Sequence, residues 1–280
     1  MKRRKFIRTA TAAGVAVPAL INGLPLQAHS TNSWLHSMLN PTVDTDHVLV
    51  LIYMNGGNDG LNTVIPLDQY PRLTAARGNV VLPESSVLRL NGVSGTGLHP
   101  SMSGIRTLFN EGKVSIVQNV GYPDPNFSHF RSTDIWTSAS NSNEYLDTGW
   151  LGRYLNEEFP GFPLDYPNSA NPDPLAVQVG GNLPLLFMGP NSQMSMNVSN
   201  PDIFGAWPAK IDDPVPNTPL GKELNYIRTI ARQSKSFADA LVTGFLKGTN
   251  VANYPTGNYL ADTLKVIARI IKGGLKTRLF

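Results

Sequence analysis

The run His47-Val-Leu-Val-Leu-Ile-Tyr-Met54 constrains this chain more than any other feature. A continuous apolar stretch of that length, rich in Val, Leu and Ile, suits a strand buried on both faces, as in a parallel sheet covered by helices. It runs into Asn55-Gly-Gly-Asn-Asp-Gly60, a loop with three glycines. Over Ser101–Glu111, Met102, Ile105, Leu108 and Phe109 share one helical face, and Gly112 stands where a helix ends. Lys113–Val120 then reads as a second strand. Strand, helical crossover, strand is the unit of α/β folds, so an α/β class is expected.

Further along, a helix is expected from Phe127 or Ser128 to about Ala139, and another over Gly149–Phe159, capped by Asp147 or Thr148. Residues 160–217 are rich in Pro, Asn, Gly and Asp and read as an irregular insertion, with short strands at Leu175–Val179 and Leu185–Met188. Pro219–Lys247 is a long amphipathic helix by its spacing of Leu220, Leu224, Ile227, Ala231, Phe237, Ala238, Leu241 and Phe245. Asn258–Lys272 is a second, stopped by Gly273-Gly274. Leu275–Phe280 resembles the start of a strand, which makes the sequence read as the front part of a longer protein.

The amino terminus reads as an address. Lys2, Arg3, Arg4, Lys5 and Arg8 precede a mildly apolar, Ala-rich stretch from Thr9 to about Leu26 that is too weakly apolar to serve as a good membrane span. Paired arginines followed by Phe6-Ile7 and another base resemble a twin-arginine export signal. Ala28 could end a cleavage site, although Leu26 is bulky for the position two before it. Residues 1–28 are thus expected to be a signal peptide, 29–45 a polar linker and 46–280 the folded α/β part. The expected location is periplasmic or at the cell surface of a bacterium, with the twin-arginine translocase as a partner during export and no transmembrane anchor afterwards.

Charge supports separating the leader from the body. Five of the 23 basic residues lie in the first eight positions, leaving 18 against 20 acidic residues, so the body carries no basic excess and nucleic acid is not an expected partner. With 41% apolar residues a sizeable core is expected. The chain has no cysteine, which excludes disulfides, thiolate metal sites and cysteine nucleophiles.

In open α/β sheets ligands bind outside the carboxyl ends of strands. Two loops are placed for that. In the first, Asp59 is a hard oxygen ligand for a metal and Asn58 could add a carbonyl; the competing reading is a tight turn in which both bond their own backbone. In the second, Ser128 at a helix start has its oxygen among unpaired N–H groups, His129 could serve as acid, base or ligand, and Arg131 could grip an oxyanion. There the competing reading is a simple Ser N-cap and a solvated arginine. No Gly-Lys-Ser/Thr phosphate loop follows the first strand, and no Gly-x-Ser-x-Gly elbow is present. His99 before Pro100, and Asp134, read as structural.

Several segments together resemble the "domain of unknown function 1501" family. They are the leader, Val48–Met54 with Gly-Gly-Asn-Asp-Gly-Leu61, Leu98-His-Pro100, Glu111-Gly112, Val120-Gly-Tyr-Pro-Asp-Pro125, Ser128-His-Phe130, Asp134-Ile-Trp136 and Gly149-Trp-Leu-Gly-Arg153. That family is grouped with the alkaline phosphatase-like superfamily, which includes sulfatases. The resemblance implies a doubly wound sandwich with a mostly parallel sheet. It also implies an exported hydrolase of phosphate or sulfate esters that uses a divalent metal (Zn, Mn or Ca). Asp59, with Asn58, would then be the metal ligand, Ser128 the nucleophile, and His129 and Arg131 would help the leaving oxyanion. The sequence lacks Cys-x-Pro-x-Arg, which excludes a formylglycine sulfatase at that site. It also lacks the family's Phe-Asp-Thr-His and Thr-Asp-His-Gly segments, and a two-ion site needs several carboxylates and histidines. The chain is therefore expected to be an incomplete and poorly active copy. The alternative is a non-catalytic envelope protein that binds glycans or protein partners on the same scaffold.

Overall fold

In a computed structural model, residues 19–21, 24–26, 47–54, 58–181, 183–198 and 213–280 are described. The basic leader, the 29–45 linker, Asn55-Gly56-Gly57 and part of the 160–217 insertion lie outside them. The chain divides into two units, residues 1–49 and 50–280. In the first, β1 (Ala19–Ile21) pairs antiparallel with β2 (Leu24–Leu26).

The second unit is mixed α/β, with a small antiparallel sheet and a small parallel one. A short helix, α1 (Gly60–Thr63), leads into β3 (Val64–Pro66), followed by α2 (Tyr70–Arg77), β4 (Leu88–Leu90) and β5 (Val93–Leu98). The strands order as β3-β5-β4, all antiparallel, with Val64 opposite Leu98 and Leu90 opposite Val93. Asn91-Gly92 forms the turn between β4 and β5, with Gly92 at φ 74°. Ile65, Leu67, Leu73 and Val87 form the core beneath this sheet, with Tyr70, Val81 and Leu82 against it. Gly97 is required there, because a Cβ would lie 2.3 Å from the Val87 side chain and 3.2 Å from the Leu88 carbonyl oxygen.

The parallel pair joins β6 (Val177–Val179) to β7 (Met196–Val198), with Val177 opposite Met196. Ala176 forms a parallel bridge to Leu279, and the Val177 N–H donates to the Leu279 carbonyl at 2.9 Å. The Leu51 N–H donates to the Phe280 carbonyl at 2.7 Å. Main-chain bonds thus link Leu51, Leu279–Phe280, Ala176–Val179 and Met196–Val198 in one line. Leu279, Phe280, Val177 and Val198 are buried.

The helices follow their sequence signals. They are α3 (Ser103–Asn110), α4 (His129–Ser138), α5 (Trp150–Glu158), α6 (Pro219–Lys247) and α7 (Tyr259–Lys272). Ser128 caps α4, Thr218 caps α6 ahead of Pro219, and Asn258 caps α7. The cap of α5 is Gly149 rather than Asp147 or Thr148, because α5 lies directly on the 185–188 main chain. The Gly149 and Gly152 N–H groups donate to the Met188 and Leu186 carbonyls at 2.9 and 3.0 Å, and a Cβ at Gly152 would sit 2.2 Å from the Met188 oxygen. Phe237, Ala238 and Leu241 of α6 and Ile267 and Ile270 of α7 are buried. No helix among the described residues is long and apolar enough to cross a membrane.

Three expected strands differ. Residues 47–54 form no strand ladder; Ile52 and Met54 are half exposed. Lys113–Val120 also lacks a ladder, and Val117 is 76% exposed. Leu185–Met188 is a turn beneath α5 rather than a strand. The physical reason is shared: apolar, β-branched sequence favours an extended backbone, but a strand exists only where a neighbour offers its N–H and C=O groups. The expected apolar face of α3 is likewise not buried, with Ile105 and Leu108 exposed, although Gly112 takes φ 73° as its position after the helix requires.

Candidate functional site

The first loop places Asp59 at the N-cap of α1. Its carboxylate accepts from the Asn62 backbone N–H at 3.3 Å and from Asn62 Nδ2 at 2.9 Å. It also receives both arms of Arg77, at 3.0 and 2.7 Å. This bidentate fork comes from the last residue of α2, and the hydrogen bonds it donates hold the Asp59 carboxyl below its ordinary value of 3.8. Asn62 extends the network by donating to the Val80 carbonyl at 2.7 Å, tying α1 to the segment after α2. Asn58 Oδ1 accepts from the Thr63 hydroxyl at 3.0 Å. Arg77 and Asn62 were not singled out in the sequence; nothing local marks an arginine 18 residues away as the partner of Asp59.

The second loop is fastened to α4 by its own polar groups. The Asn126 N–H donates to the Tyr122 hydroxyl at 3.0 Å, and the Ser128 N–H donates to Asn126 Oδ1 at 2.8 Å. Ser128 Oγ accepts from the Arg131 N–H at 3.5 Å, a long N-cap bond. His129 is the first residue of α4 and is exposed; its carbonyl accepts from the Thr133 hydroxyl.

Arg131 points inward. It is 9% exposed, and its guanidinium donates to the main-chain carbonyls of Asn141, Ser142 and Glu144. The Tyr145 ring lies over it, 3.9 Å from Cζ to the centroid. Its Nε–H is buried without a partner, and among the described residues no carboxylate pairs with it. Arginine of this kind holds a loop by one amino group and its stem. Between that loop and Pro123-Asp124 lies an open cleft of about 370 Å³, lined by Pro123, Asp124, Asn141, Ser142 and Asn143.

Tyr53, ahead of the first loop, packs on α4. Its ring stacks on Trp136 of α4 at 4.6 Å, and its hydroxyl shares a hydrogen bond with the Thr133 hydroxyl at 3.1 Å. Tyr53 therefore lies against the helix that begins at Ser128. Asp59 itself bonds to Asn62 and Arg77, and Ser128 to Asn126 and Arg131, so hydrogen bonding does not join the two.

A divalent ion does not fit these residues as they stand. Both Asp59 oxygens accept from a guanidinium, the Asn58 carbonyl is engaged by Thr63, and a dication would have to displace a positive charge to reach them. Among the described residues, no three His, Asp or Glu side chains gather as a ligand set. His99 has a local role, with its Nδ1 accepting from the Ser101 N–H at 3.1 Å. Comparisons with protein-family models, with curated proteins and with solved structures find no match.

Proposed function

We propose that this chain is an exported protein of the bacterial envelope that holds a glycan or protein partner on an alkaline phosphatase-like scaffold and does not turn over an ester. The resemblance of its segments to the domain of unknown function 1501 family supports the scaffold. So do the parallel pairing of β6 with β7 and the parallel bridge of Ala176 to Leu279. The observation that carries the reading is the engagement of Asp59 by Arg77. Arg131 adds to it, because its Nη2 group is already donated to backbone carbonyls of the 141–144 loop.

A metal-dependent phosphate or sulfate ester hydrolase is the second reading. Ser128 at the start of α4 favours it, since developing negative charge on its oxygen would sit among the first N–H groups of the helix. The two readings separate in one assay. The purified chain is offered p-nitrophenyl phosphate and p-nitrophenyl sulfate with Zn²⁺, Mn²⁺ or Ca²⁺. The binding reading expects no turnover above that of Ser128→Ala. Metal-dependent turnover abolished by Ser128→Ala overturns it.

Export rests on Arg3-Arg4. Replacing both by lysine is expected to keep a fused reporter in the cytoplasm; undiminished export of the variant would remove the twin-arginine element of the proposal.

A further inference from the structure

We propose that the cleft between Pro123-Asp124 and Asn141–Asn143 is a binding subsite for a neutral oligosaccharide; this rests on the binding-protein reading and names its ligand class and place.

The cleft is open, about 370 Å³, and four of its five lining side chains are polar. The Asp124 carboxylate, the Ser142 hydroxyl and the Asn143 amide make no hydrogen bond or ion pair among the described residues. Asn141 uses its Nδ2 on Glu144 at 3.4 Å, and its side-chain Oδ1 has no hydrogen-bond partner among the described residues. A carboxylate, amide donors and acceptors and a hydroxyl with unused capacity form the set that vicinal hydroxyls can satisfy, since each hydroxyl both donates and accepts. A carboxylate accepting from two such hydroxyls makes the stronger, charge-assisted kind of hydrogen bond.

The cleft's shape is fixed from behind. Arg131 donates to the carbonyls of Asn141 and Ser142, so the wall that carries the amide groups is tied to α4 before any ligand arrives. Asp124 sits at φ 51° in the loop that Tyr122 and Asn126 fasten to the same helix through the Ser132 hydroxyl. Preorganised walls reduce the ordering cost of binding. Tyr145 is 78% exposed although Arg131 orders its ring, so it offers an aromatic surface to the C–H face of a sugar two residues beyond Asn143.

Charge selects among ligands. The lining contains no cation, and Asp124 would repel a phosphate or sulfate ester. One carboxylate is too few for a dication, and the Arg131 charge behind the wall opposes it further. A neutral polyol fits both restrictions.

The test uses the full chain and isothermal calorimetry with cellotriose, maltotriose and chitotriose, each with and without Ca²⁺. At least one trisaccharide is expected to bind without Ca²⁺. Asp124→Asn, which tolerates the left-handed backbone, is expected to weaken that binding by about tenfold with an unchanged melting temperature. Asn143→Ala and Tyr145→Leu are expected to weaken it by smaller factors. Failure of all three sugars to bind overturns the proposal, as does uptake of Ca²⁺ alone that Asp124→Asn abolishes. Sugar binding that ignores Asp124→Asn and Asn143→Ala overturns this subsite while leaving the binding-protein reading standing; ester turnover dependent on Ser128 would overturn that reading instead.

Discussion

Arg77 and Arg131 make opposite use of the same side chain. Arg77 ends α2 at the surface and closes on the carboxylate of Asp59, charge against charge, with both side chains about a third exposed. Arg131 is buried in the first turn of α4 and meets three carbonyl oxygens and a tyrosine ring, with no carboxylate among the described residues. The comparison shows that one fold can occupy both candidate site charges in structural work by different physics. At the surface, solvent and salt screen the pair, so its main consequence is to determine who owns Asp59. In the interior, the arginine organises the loop from Asn141 to Tyr145, and its loss removes a charged donor from the carbonyls of Ser142 and Glu144.

Breaking the interior member should have the largest effect. Arg131→Ala is expected to destabilise the protein by about 3 kcal/mol, because three carbonyls lose a charged donor and the Tyr145 ring loses its support. Urea unfolding measures this; a change under about 1 kcal/mol would mean that the loop does not depend on the fork. Arg131→Lys should recover only part of the loss, since an ammonium cannot reproduce the planar fork.

Breaking the surface member should cost less. Asp59→Ala removes the N-cap of α1 and is expected to destabilise by about 1 kcal/mol, read by the same unfolding experiment. Asp59→Asn sharpens the comparison further, since it keeps a capping oxygen and removes the charge. Its effect should shrink as salt rises, whereas that of Arg131→Ala should not.

The smallest effect is in acid. The Asp59 pKa is depressed in the folded protein, so the stability it contributes is fully present above the unfolded value near 3.8 and is lost as pH falls through the lower folded value. Asp59→Asn should therefore flatten part of the acid limb of the stability curve below pH 4 and leave neutral pH nearly untouched. An unchanged acid limb would contradict a depressed pKa.

The same contrast explains what the sequence could show. Helices carry their own signals: Thr218-Pro219, Asn258 and Ser128 are caps, and α6 and α7 keep their apolar spacing over many turns. Strands are two-body objects. The 47–54 and 113–120 runs have strand composition, but their ladder partners are not written in them, and the structure gives neither a ladder, leaving the first with the Leu51 bond to Phe280. Conversely, β4 and β5 went unforeseen because Gly95 and Gly97 dilute the apolar pattern, although Asn91-Gly92 between Leu90 and Val93 is a strong hairpin signal. At the site, the N-cap role of Ser128 is local and legible. The partner of Asp59 is not, since Arg77 lies on a helix that carries no strong apolar stripe. Nor was the burial of Arg131, because arginine is among the residues least often buried.

The central claim is that the Asp59 carboxylate belongs to Arg77. Carboxyl-carbon NMR of the labelled protein tests it directly, with pH titrated first and Zn²⁺ or Mn²⁺ added afterwards. The account predicts that Asp59 titrates below 3.8, moves back toward that value in Arg77→Leu, and is unaffected by either metal in the wild-type chain. An ordinary titration, or a stoichiometric response of the Asp59 signal to metal, would contradict it.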